Sequence, residues 1–431
     1  MAELLHPNAR DYDATSRPPI ARFAGIRPEL VIRCRSGEDV VEALALVRRK
    51  RRQFAIRSGG HCFAGHSSTT GVLIDVRPMS HVRLAGGVAA IGAGARLAEI
   101  YDALDAHGVT IAGGCGPTVG IAGLALGGGL GILGRKHGLT SDQLVGAEVV
   151  LADGRVVQCD EQRNADLFWA LRGAGAARFG VVTELRFRVV TAPAVTTIHA
   201  TWPAERAGDA VAAWQERAPD APDALAVSVI ALVPADPRQA PSVHVFGAML
   251  GNEEDARAAL GELAADARLE HMSYRAAKRH LAKHGPGDIA EEDGHAFSKS
   301  EFFRRSLPRS AIDALVAHVL SDRRAGEARS LDFMPWGGAY NRVPADATAF
   351  PHRAERFLLK HEVVVAPGGH AAPDWLRRSW ALVHEYGSGG AYANFPDDDV
   401  DDEAYFGANL TRLRAVKRTY DPTNLFPLGS A

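Results

Sequence analysis

The sequence of 431 residues has few cysteines, almost no net charge and no long apolar run. It has no stretch of about 18 apolar residues, and its first residues lack the apolar core of a signal peptide, so we expect no membrane-spanning helix and a cytoplasmic location. Four cysteines without a CxxC pair argue against a disulfide scaffold and a cysteine-based metal site. A formal net charge of −2 excludes a broad basic surface for nucleic acid or for an anionic membrane.

The remaining composition is typical of a soluble globular enzyme. Hydrophobic residues make up 46% of the chain and charged residues 23%. A chain of this length exceeds one ordinary core, so we expect at least two domains. The composition leaves the oligomeric state open.

The order of strand-like and helix-like segments predicts an α+β fold. Residues 25–190 alternate short strands and helices, which favours a mixed sheet. From about residue 193, alanine-rich helices are interleaved with strands such as "LAVSVIALV", which favours an antiparallel sheet covered on one face by helices. The predicted boundaries are 1–192, 193–390 and a C-terminal segment over 391–431 that is helical up to Tyr420.

Two glycine-rich stretches stand out in the first predicted domain. Arg57-Ser58-Gly59-Gly60 leads directly into His61, and nearly half of residues 113–134 are glycine. Each glycine inside a regular element costs roughly 0.5–1 kcal/mol relative to alanine, so close approach of the backbone to a phosphate-bearing ligand would explain the pattern. A packing corner without ligand remains an alternative.

Other phosphate motifs are weaker. Gly129, Gly131 and Gly134 match G-x-G-x-x-G, but they follow more glycine and precede "RKHGLTSD", which we predict to be a turn rather than the helix of a nicotinamide-binding motif. The chain has no G-K-[ST] sequence, which excludes a P-loop. Cys62, placed beside His61, is predicted to be a small core filler rather than a metal ligand.

In these and other motifs the chain resembles the FAD-linked oxidases of the berberine-bridge-enzyme-like family, within the vanillyl-alcohol-oxidase superfamily. The resemblance covers nearly the whole length and rests on Arg57–His61, "VLIDVRPM", "PTVGIAGLALGGGLGILGRKHGLTSD", "DLFWALRGAGAARFGVVT", "DATAFPHR" and "YFGANLTRLRAVKRTYDPTNLF". It implies a two-lobed PCMH-type FAD-binding domain, a substrate-binding domain and a C-terminal segment that returns to cover the FAD.

The resemblance also implies where the cofactor is held. The histidine of R-x-G-G-H forms a covalent bond to the flavin in this family, which makes His61 the expected attachment point. The other implied cofactor-binding residues are Arg57, Ser58, Gly59, Gly60, Cys62, Phe63, Gly65, His66, Ser67, Gly114, Cys115, Thr118, Val119, Gly120, Ala122, Gly123, Gly127, Gly128, Gly129, Asp142, Val182, Tyr405 and Asn409.

The sequence departs from the family at one important position. Many members attach the flavin a second time through a cysteine directly before the proline of C-P-x-V-G, but here Gly116 occupies that position and Cys115 comes one residue early. A shift of one residue turns a side chain to the opposite face of an extended segment. We therefore expect a single link through His61, although a local bulge could restore the second one.

Three residues are candidates for the chemistry. The resemblance makes Tyr392 of "AYANF" the expected base that takes a substrate proton, with Asn394 orienting it. A phenol with a pKa of about 10 is a poor base at neutral pH, so a nearby cation is needed, and we predict Lys360 for that role. Glu362 lies on the same strand face as Lys360 and is a second candidate base.

The expected reaction moves a hydride from an alcohol, sugar or amine carbon to the flavin and then reduces oxygen to hydrogen peroxide. Val119 matches a family position where a small side chain leaves access for oxygen. The alternatives are a flavin dehydrogenase with another electron acceptor, a non-catalytic flavin-binding or carbohydrate-binding relative, and a nicotinamide-dependent dehydrogenase. Trp336, Tyr340 and His352 are predicted to line the substrate space.

Overall fold

The computed structural model describes residues 2–175, 177–286, 294–366 and 373–427. A four-stranded sheet in the order β1-β2-β4-β3 comes first. It consists of β1 (Glu3–Leu5), β2 (Leu30–Arg33), β3 (Phe54–Arg57) and β4 (Val72–Asp75), with β2, β4 and β3 parallel and β1 antiparallel to β2. The mixed sheet is as predicted. Since its parallel strands end at one edge, the stretch that follows Arg57 emerges from that edge.

Two helices belong to this first lobe, α1 (Tyr12–Ser16) and α2 (Gly37–Lys50). The Ser36 side chain accepts a hydrogen bond from the Asp39 N–H and so caps the start of α2. The helix ends at Arg51, which is in the left-handed conformation with φ of 47°.

A second sheet is antiparallel and has the order β5-β6-β10-β8-β9. Its strands are β5 (Val82–Ala85), β6 (Val88–Gly92), β8 (Leu144–Val150), β9 (Val156–Cys159) and β10 (Val181–Arg188). Two further strands, β7 (Val109–Thr110) and β11 (Val190–Thr191), form a separate antiparallel pair. The helices of this lobe are α3 (Leu97–Asp105), α4 (Ile121–Leu126), α5 (Gly134–His137) and α6 (Ala165–Leu171). The prediction of a plain turn over residues 135–142 was wrong, because the short helix α5 and a 3₁₀ turn at Thr140–Gln143 occupy it.

The third sheet has seven antiparallel strands in the order β15-β12-β14-β13-β17-β18-β16. The strands are β12 (Ala194–Pro203), β13 (Leu225–Val233), β14 (Ser242–Met249), β15 (Arg268–Ser273), β16 (His295–Phe303), β17 (Glu327–Pro335) and β18 (Phe357–Val365). The remaining helices are α7 (Ala207–Arg217), α8 (Glu253–Leu260), α9 (Tyr274–His284), α10 (Arg309–Leu320), α11 (Ala339–Arg342), α12 (Pro373–His384), α13 (Asp402–Phe406) and α14 (Leu410–Tyr420).

Helices cover one face of the third sheet. Trp214 of α7 and Leu315 of α10 pack there with buried strand residues such as Phe333, forming a continuous apolar core. The opposite face, here called the inner face, is turned toward the first two sheets, because Lys360 on β18 lies over the ring of Phe63. The antiparallel sheet with helices on one face was predicted correctly, and the α+β fold class is confirmed.

The C-terminal segment returns to the first lobe. Phe426 packs edge-to-face on Phe54 of β3, with the ring centres 5.6 Å apart, and Arg412 of α14 pairs with Asp166 of α6. The last helix ends at Tyr420, as predicted. The boundaries at 192/193 and 390/391 stay predictions. Within the described ranges, no helix is both long and apolar enough to cross a bilayer.

Candidate functional site: a glycine cradle beside the inner face

Two loops meet backbone to backbone where β3 ends and α4 begins. A Cβ atom on Gly59 would lie 2.1 Å from the backbone nitrogen of Gly120, and a Cβ atom on Gly120 would lie 2.1 Å from Ser58 Oγ. The Ser58 hydroxyl donates to the Ala93 carbonyl (2.7 Å), which fixes the first loop against the second sheet. Only glycine fits at both positions, so we define residues 58–61 and 118–120 as the cradle.

His61 closes the cradle. Its Nε2 is hydrogen-bonded to Thr118 Oγ1 at 2.8 Å, so the two loops are joined by side chains as well as by backbone. Burial lowers the pKa of His61 to about 4, and the charge of Arg96 adds to the effect. The imidazole is therefore neutral at physiological pH and has a nucleophilic ring nitrogen.

The chain after His61 folds back in a tight loop. Gly60 and Gly65 have φ of +84° and +78°, a region that favours glycine, and their missing side chains make room for Pro19 and Phe23. Cys62 is hydrogen-bonded to His66, and although burial opposes it, this partner lowers the pKa of the thiol. Cys62 is thus a partnered thiol, and its prediction as a core filler was wrong.

Arg57 is buried and directs its guanidinium away from the cradle. It donates to the carbonyl oxygens of Ser16 and Ser67 and to Ser68 Oγ (3.1 Å). These bonds tie the two ends of the loop over residues 58–66 to α1. The structure gives Arg57 a role in holding the loop, and its predicted contact with the cofactor stays a prediction.

The second glycine stretch begins beside a buried lysine. The Lys278 ammonium on α9 donates to the carbonyl oxygens of Gly113 and Gly114 and lies 3.8 Å from Cys115 Sγ. Tyr101 also donates to the Gly114 carbonyl (2.7 Å). The Cys115 thiol therefore points to Lys278, which supports the expectation of a single flavin link.

The chain that follows the cradle runs through α4 to residue 129. Val119 is half-buried beside Gly116, Ala122 is buried, and a Cβ atom on Gly123 would meet nothing within 4 Å. A Cβ atom on Gly127 would instead lie 2.1 Å from Asn394 Oδ1, while Gly128 has φ of +116°. The glycine-rich stretch over residues 113–134 therefore contacts the segment that carries Tyr392 as well as the cradle.

Tyr392 is held from both sides. Its phenol oxygen accepts hydrogen bonds from the Gly129 N–H (2.9 Å) and from the Asn394 side-chain amide (3.2 Å). Its own N–H donates to Ser300 Oγ on β16 (3.1 Å). Burial raises the pKa of Tyr392 to about 12, while Asn394 and Gly129 pull it down. The structure brings Tyr392, Asn394 and Gly129 together, as the sequence predicted for the first two.

Lys360 and Glu362 form an ion pair on the inner face. The Lys360 ammonium lies 4.7 Å from the ring centre of Phe63 and 5.1 Å from that of Phe395, and the Phe395 ring contacts Tyr392. Ser330 Oγ donates to Glu362 Oε2 at 3.4 Å. Both predicted residues face the cradle side, and the tuning of Tyr392 by Lys360 stays a prediction.

Four other predicted cofactor contacts have protein partners. Asp142 forms a bidentate ion pair with Arg353 (2.7 and 2.8 Å), and Val182 is buried in β10. The Tyr405 hydroxyl accepts from the Asp397 N–H (2.8 Å), and the Asn409 amide donates to the Ala345 carbonyl (2.7 Å). The Asp142–Arg353 pair joins the 345–353 loop to the 3₁₀ turn after α5, the Asn409 bond joins the C-terminal segment to that loop, and the Tyr405 bond lies within the C-terminal segment. The predicted contacts of these residues with the cofactor stay predictions.

Trp336, Tyr340 and His352 do not line open space. Each is at most 7% exposed, and they pack with Phe302 and Phe350 in an aromatic cluster around Tyr392. These rings surround Tyr392, which is itself only 1% exposed, and their predicted place in the lining of the substrate space stays a prediction.

Sequence reasoning missed three polar residues near the site: Lys278, Ser300 and Asp332. Asp332 lies on the inner face directly opposite Lys360 in the register of β17 and β18. Its period-2 spacing from Ser330 could have indicated that face. Lys278 had no comparable signal, since it lies in a basic amphipathic helix. In the described part of the chain, no group of three or more His, Cys, Asp or Glu side chains is placed to hold a metal ion.

The residues present fit a dinucleotide cofactor. Gly59 and Gly120 let the two loops pack together, and this packing places the neutral imidazole of His61 beside backbone that carries no side chains. The family model for the FAD binding domain matches residues 28–160, and that for berberine and berberine-like proteins matches residues 391–428. Both matches include residues of the site.

Several known proteins with similar sequences or structures are named oxidases. The chitooligosaccharide oxidase of Gibberella zeae is 32% identical over 86% of this chain and 80% of its own, and the (R)-6-hydroxynicotine oxidase of Paenarthrobacter nicotinovorans is 30% identical over 98% and 95%. The solved glucooligosaccharide oxidase of Acremonium strictum, described with 6-S-cysteinyl, 8α-N1-histidyl FAD, superposes with a TM-score of 0.86 at 25% identity over 99% and 95% of the chains. Sequence, fold and site together place the chain in the berberine-bridge-enzyme-like family of FAD-linked oxidoreductases.

Proposed function

We propose that the protein oxidises an alcohol, sugar or amine carbon of a small molecule, with FAD attached through His61 and oxygen as the electron acceptor. The observation that carries this proposal is the cradle, where Gly59 and Gly120 touch through their backbones and His61 is bonded to Thr118. When bound, FAD takes a hydride from the substrate carbon and delivers the electrons to oxygen as hydrogen peroxide. The names of the two oxidase relatives support this reaction class.

His61 is suited to a covalent link because its imidazole is neutral. Burial keeps the pKa of His61 at about 4, so a ring nitrogen has a free electron pair at physiological pH. Thr118 engages Nε2, and we therefore assign the link to the other ring nitrogen, Nδ1. The histidyl attachment named for the glucooligosaccharide oxidase supports this assignment.

A second link through Cys115 is not part of the proposal. The thiol lies against the Lys278 ammonium, and Gly116 holds the position next to the proline. We propose one link per chain.

Tyr392 is the proposed acceptor of the substrate proton. The Gly129 N–H and the Asn394 amide both donate to its oxygen, an arrangement that favours the phenolate. Burial nevertheless raises the pKa of Tyr392 to about 12, so the rate should increase with pH through the alkaline range. Glu362, ion-paired with Lys360, is the second candidate.

Val119 is the proposed control of oxygen access, because its small side chain lies between Thr118 and Gly120 of the cradle. The test is to reduce the holoenzyme anaerobically with light and then to admit air. Rapid reoxidation with formation of hydrogen peroxide, slowed in Val119→Leu, is expected. A flavin that stays reduced in air would favour a dehydrogenase with another acceptor, and a reducible flavin that no alcohol, sugar or amine reduces would favour a non-catalytic relative.

The cytoplasmic location stays a prediction.

A further inference from the structure

The inner face of the third sheet carries a row of neighbouring residues that crosses five strands, and four of the five residues are polar. The register places Ser300 of β16 opposite Lys360 of β18, Lys360 opposite Asp332 of β17, Asp332 opposite Ile230 of β13, and Ile230 opposite His244 of β14. Residues directly opposite each other in a sheet share one face. One end of the row touches the site, because Ser300 Oγ accepts from the Tyr392 N–H.

Asp332 is the member of this row whose hydrogen bonding is incomplete. Its side chain is bonded to Ser228, but its Oδ1 atom is buried and has no hydrogen-bond partner among the described residues. A buried carboxylate oxygen without a donor costs free energy, which a ligand that supplies a donor would recover. Burial raises the pKa of Asp332 to about 6, so the group is still mainly a carboxylate at pH 8.

The charge around Asp332 favours a cation. The described charged side chains nearest to it are Lys360 and Glu362, and these two are already ion-paired with each other. One ammonium and two carboxylates leave one negative charge on a partly buried surface. Beside that charge, the half-buried Phe246, one strand beyond the buried Ile230, offers an apolar surface for the body of a ligand.

We propose that Asp332 binds a cationic nitrogen of the substrate, so that the molecule oxidised is an amine or carries an amino group. This assignment rests on the proposed function and narrows its substrate class. Asp332 is a specificity residue in this account, and the proton is still taken elsewhere, at Tyr392.

The test compares cationic and neutral ligands of the same shape that contain no oxidisable alcohol or amine carbon. The probes are benzamidine with benzamide, and phenylguanidine with phenylurea. Binding to the holoenzyme at pH 8 is measured by calorimetry and by the perturbation of the flavin absorption spectrum. Asp332→Asn removes the charge and keeps the shape, and Asp374→Asn, at an exposed ion pair with Arg377, controls for the loss of one negative charge.

The expected result is that at least one cationic probe binds about tenfold more tightly than its neutral partner. Asp332→Asn should abolish that preference and leave the neutral probes within about twofold, while Asp374→Asn keeps it. Equal binding of both members in both pairs, no binding of either cation, or a preference that survives in Asp332→Asn would overturn the assignment. A protein that contains flavin yet shows one of these results loses only this assignment, whereas one that binds no flavin loses the proposed function.

Discussion

The cradle and the inner face lie close together, since Lys360 lies over the ring of Phe63, two residues after His61, but they are built from different materials. The cradle is made of backbone, and its specificity comes from the absence of side chains at Gly59 and Gly120. The inner face is made of charged and polar side chains on five strands that are close in space and far apart in sequence. A flat backbone surface suits a cofactor that every member of a family shares, whereas exchangeable side chains suit a substrate that differs between members.

The largest expected effect concerns Tyr392, where the two regions meet. Tyr392→Phe should lower kcat by about 10³-fold and leave flavin content unchanged, since removal of a general base typically costs 10²–10⁴-fold. Stopped-flow measurement of flavin reduction by a substrate checks this. The exposed Tyr386→Phe is the control, and a loss below tenfold would move the proton acceptor elsewhere.

A related variant tests the hydrogen bond to Tyr392. Asn394→Ala removes a donor that lowers the pKa of Tyr392, so the pKa should rise further. The alkaline limb of kcat/KM should then shift to higher pH. If the limb stays in place, Tyr392 is not the group that sets it, and Glu362 replaces Tyr392 as the base.

The next effect tests the cradle itself. Gly120→Ala places a methyl group 2.1 Å from Ser58 Oγ and 2.2 Å from the Gly59 nitrogen, and neither backbone can move without opening the cradle. We expect a loss of about 3 kcal/mol, equivalent to about 100-fold weaker binding of FAD before the link to His61 forms, and therefore less FAD attached to the purified protein. Absorbance of the purified protein at the flavin bands gives the FAD content. Gly25→Ala, where an added Cβ meets nothing within 4 Å, is the matched control.

A smaller expected effect is the pH dependence that Asp332 of the inner face gives to the stability of the protein. The pKa of Asp332 is about 6 in the folded protein, above its ordinary value of 3.8, because burial outweighs the favourable charge of Lys360. The folded state therefore binds the extra proton, and the contribution of Asp332 to stability falls as pH rises from about 4 to about 6. The shift corresponds to at most about 3 kcal/mol.

Asp332→Asn should remove this part of the pH dependence in urea unfolding of the ligand-free protein. Asp374→Asn should not, since the pKa of Asp374 is lowered by its bond to Arg377. An unchanged slope between pH 4 and pH 6 in Asp332→Asn would contradict the burial argument.

The smallest expected effect is at Cys115. Cys115→Ser should leave all the flavin attached to the chain, because the thiol faces Lys278 and a single link passes through His61. Mass spectrometry of intact protein before and after acid denaturation provides the measurement. If the wild type carries a flavin peptide that contains Cys115, the chain has two links and the proposal of one is wrong.

The sequence allowed the cradle to be predicted better than the inner face, for a physical reason. Close backbone contact requires glycine, so Gly59, Gly60 and Gly120 are visible in the sequence. The side-chain partners of Arg57 and of Asp142 could not be predicted from the sequence, because a charged residue near a cofactor loop can equally bond to protein carbonyls or to a distant arginine.

Asp332 shows why the inner face was harder to predict. Its neighbours Ile230 and Lys360 lie about 100 residues before it and 28 after it, and only the strand order of the third sheet brings them together. The helix cap at Ser36 and the hairpin at Asp153-Gly154 were predictable because their partners are within a few residues. Local geometry can be read from sequence, whereas cross-strand pairing depends on the register of the whole sheet.

The most direct test of the cradle as a covalent FAD site is to precipitate the purified protein with acid and to follow the yellow colour. The account predicts that the flavin stays with the pellet, that a proteolytic peptide containing His61 carries the mass of FAD, and that His61→Ala releases the flavin into the supernatant. A purified, folded protein that contains no flavin and takes up none from solution would contradict the account.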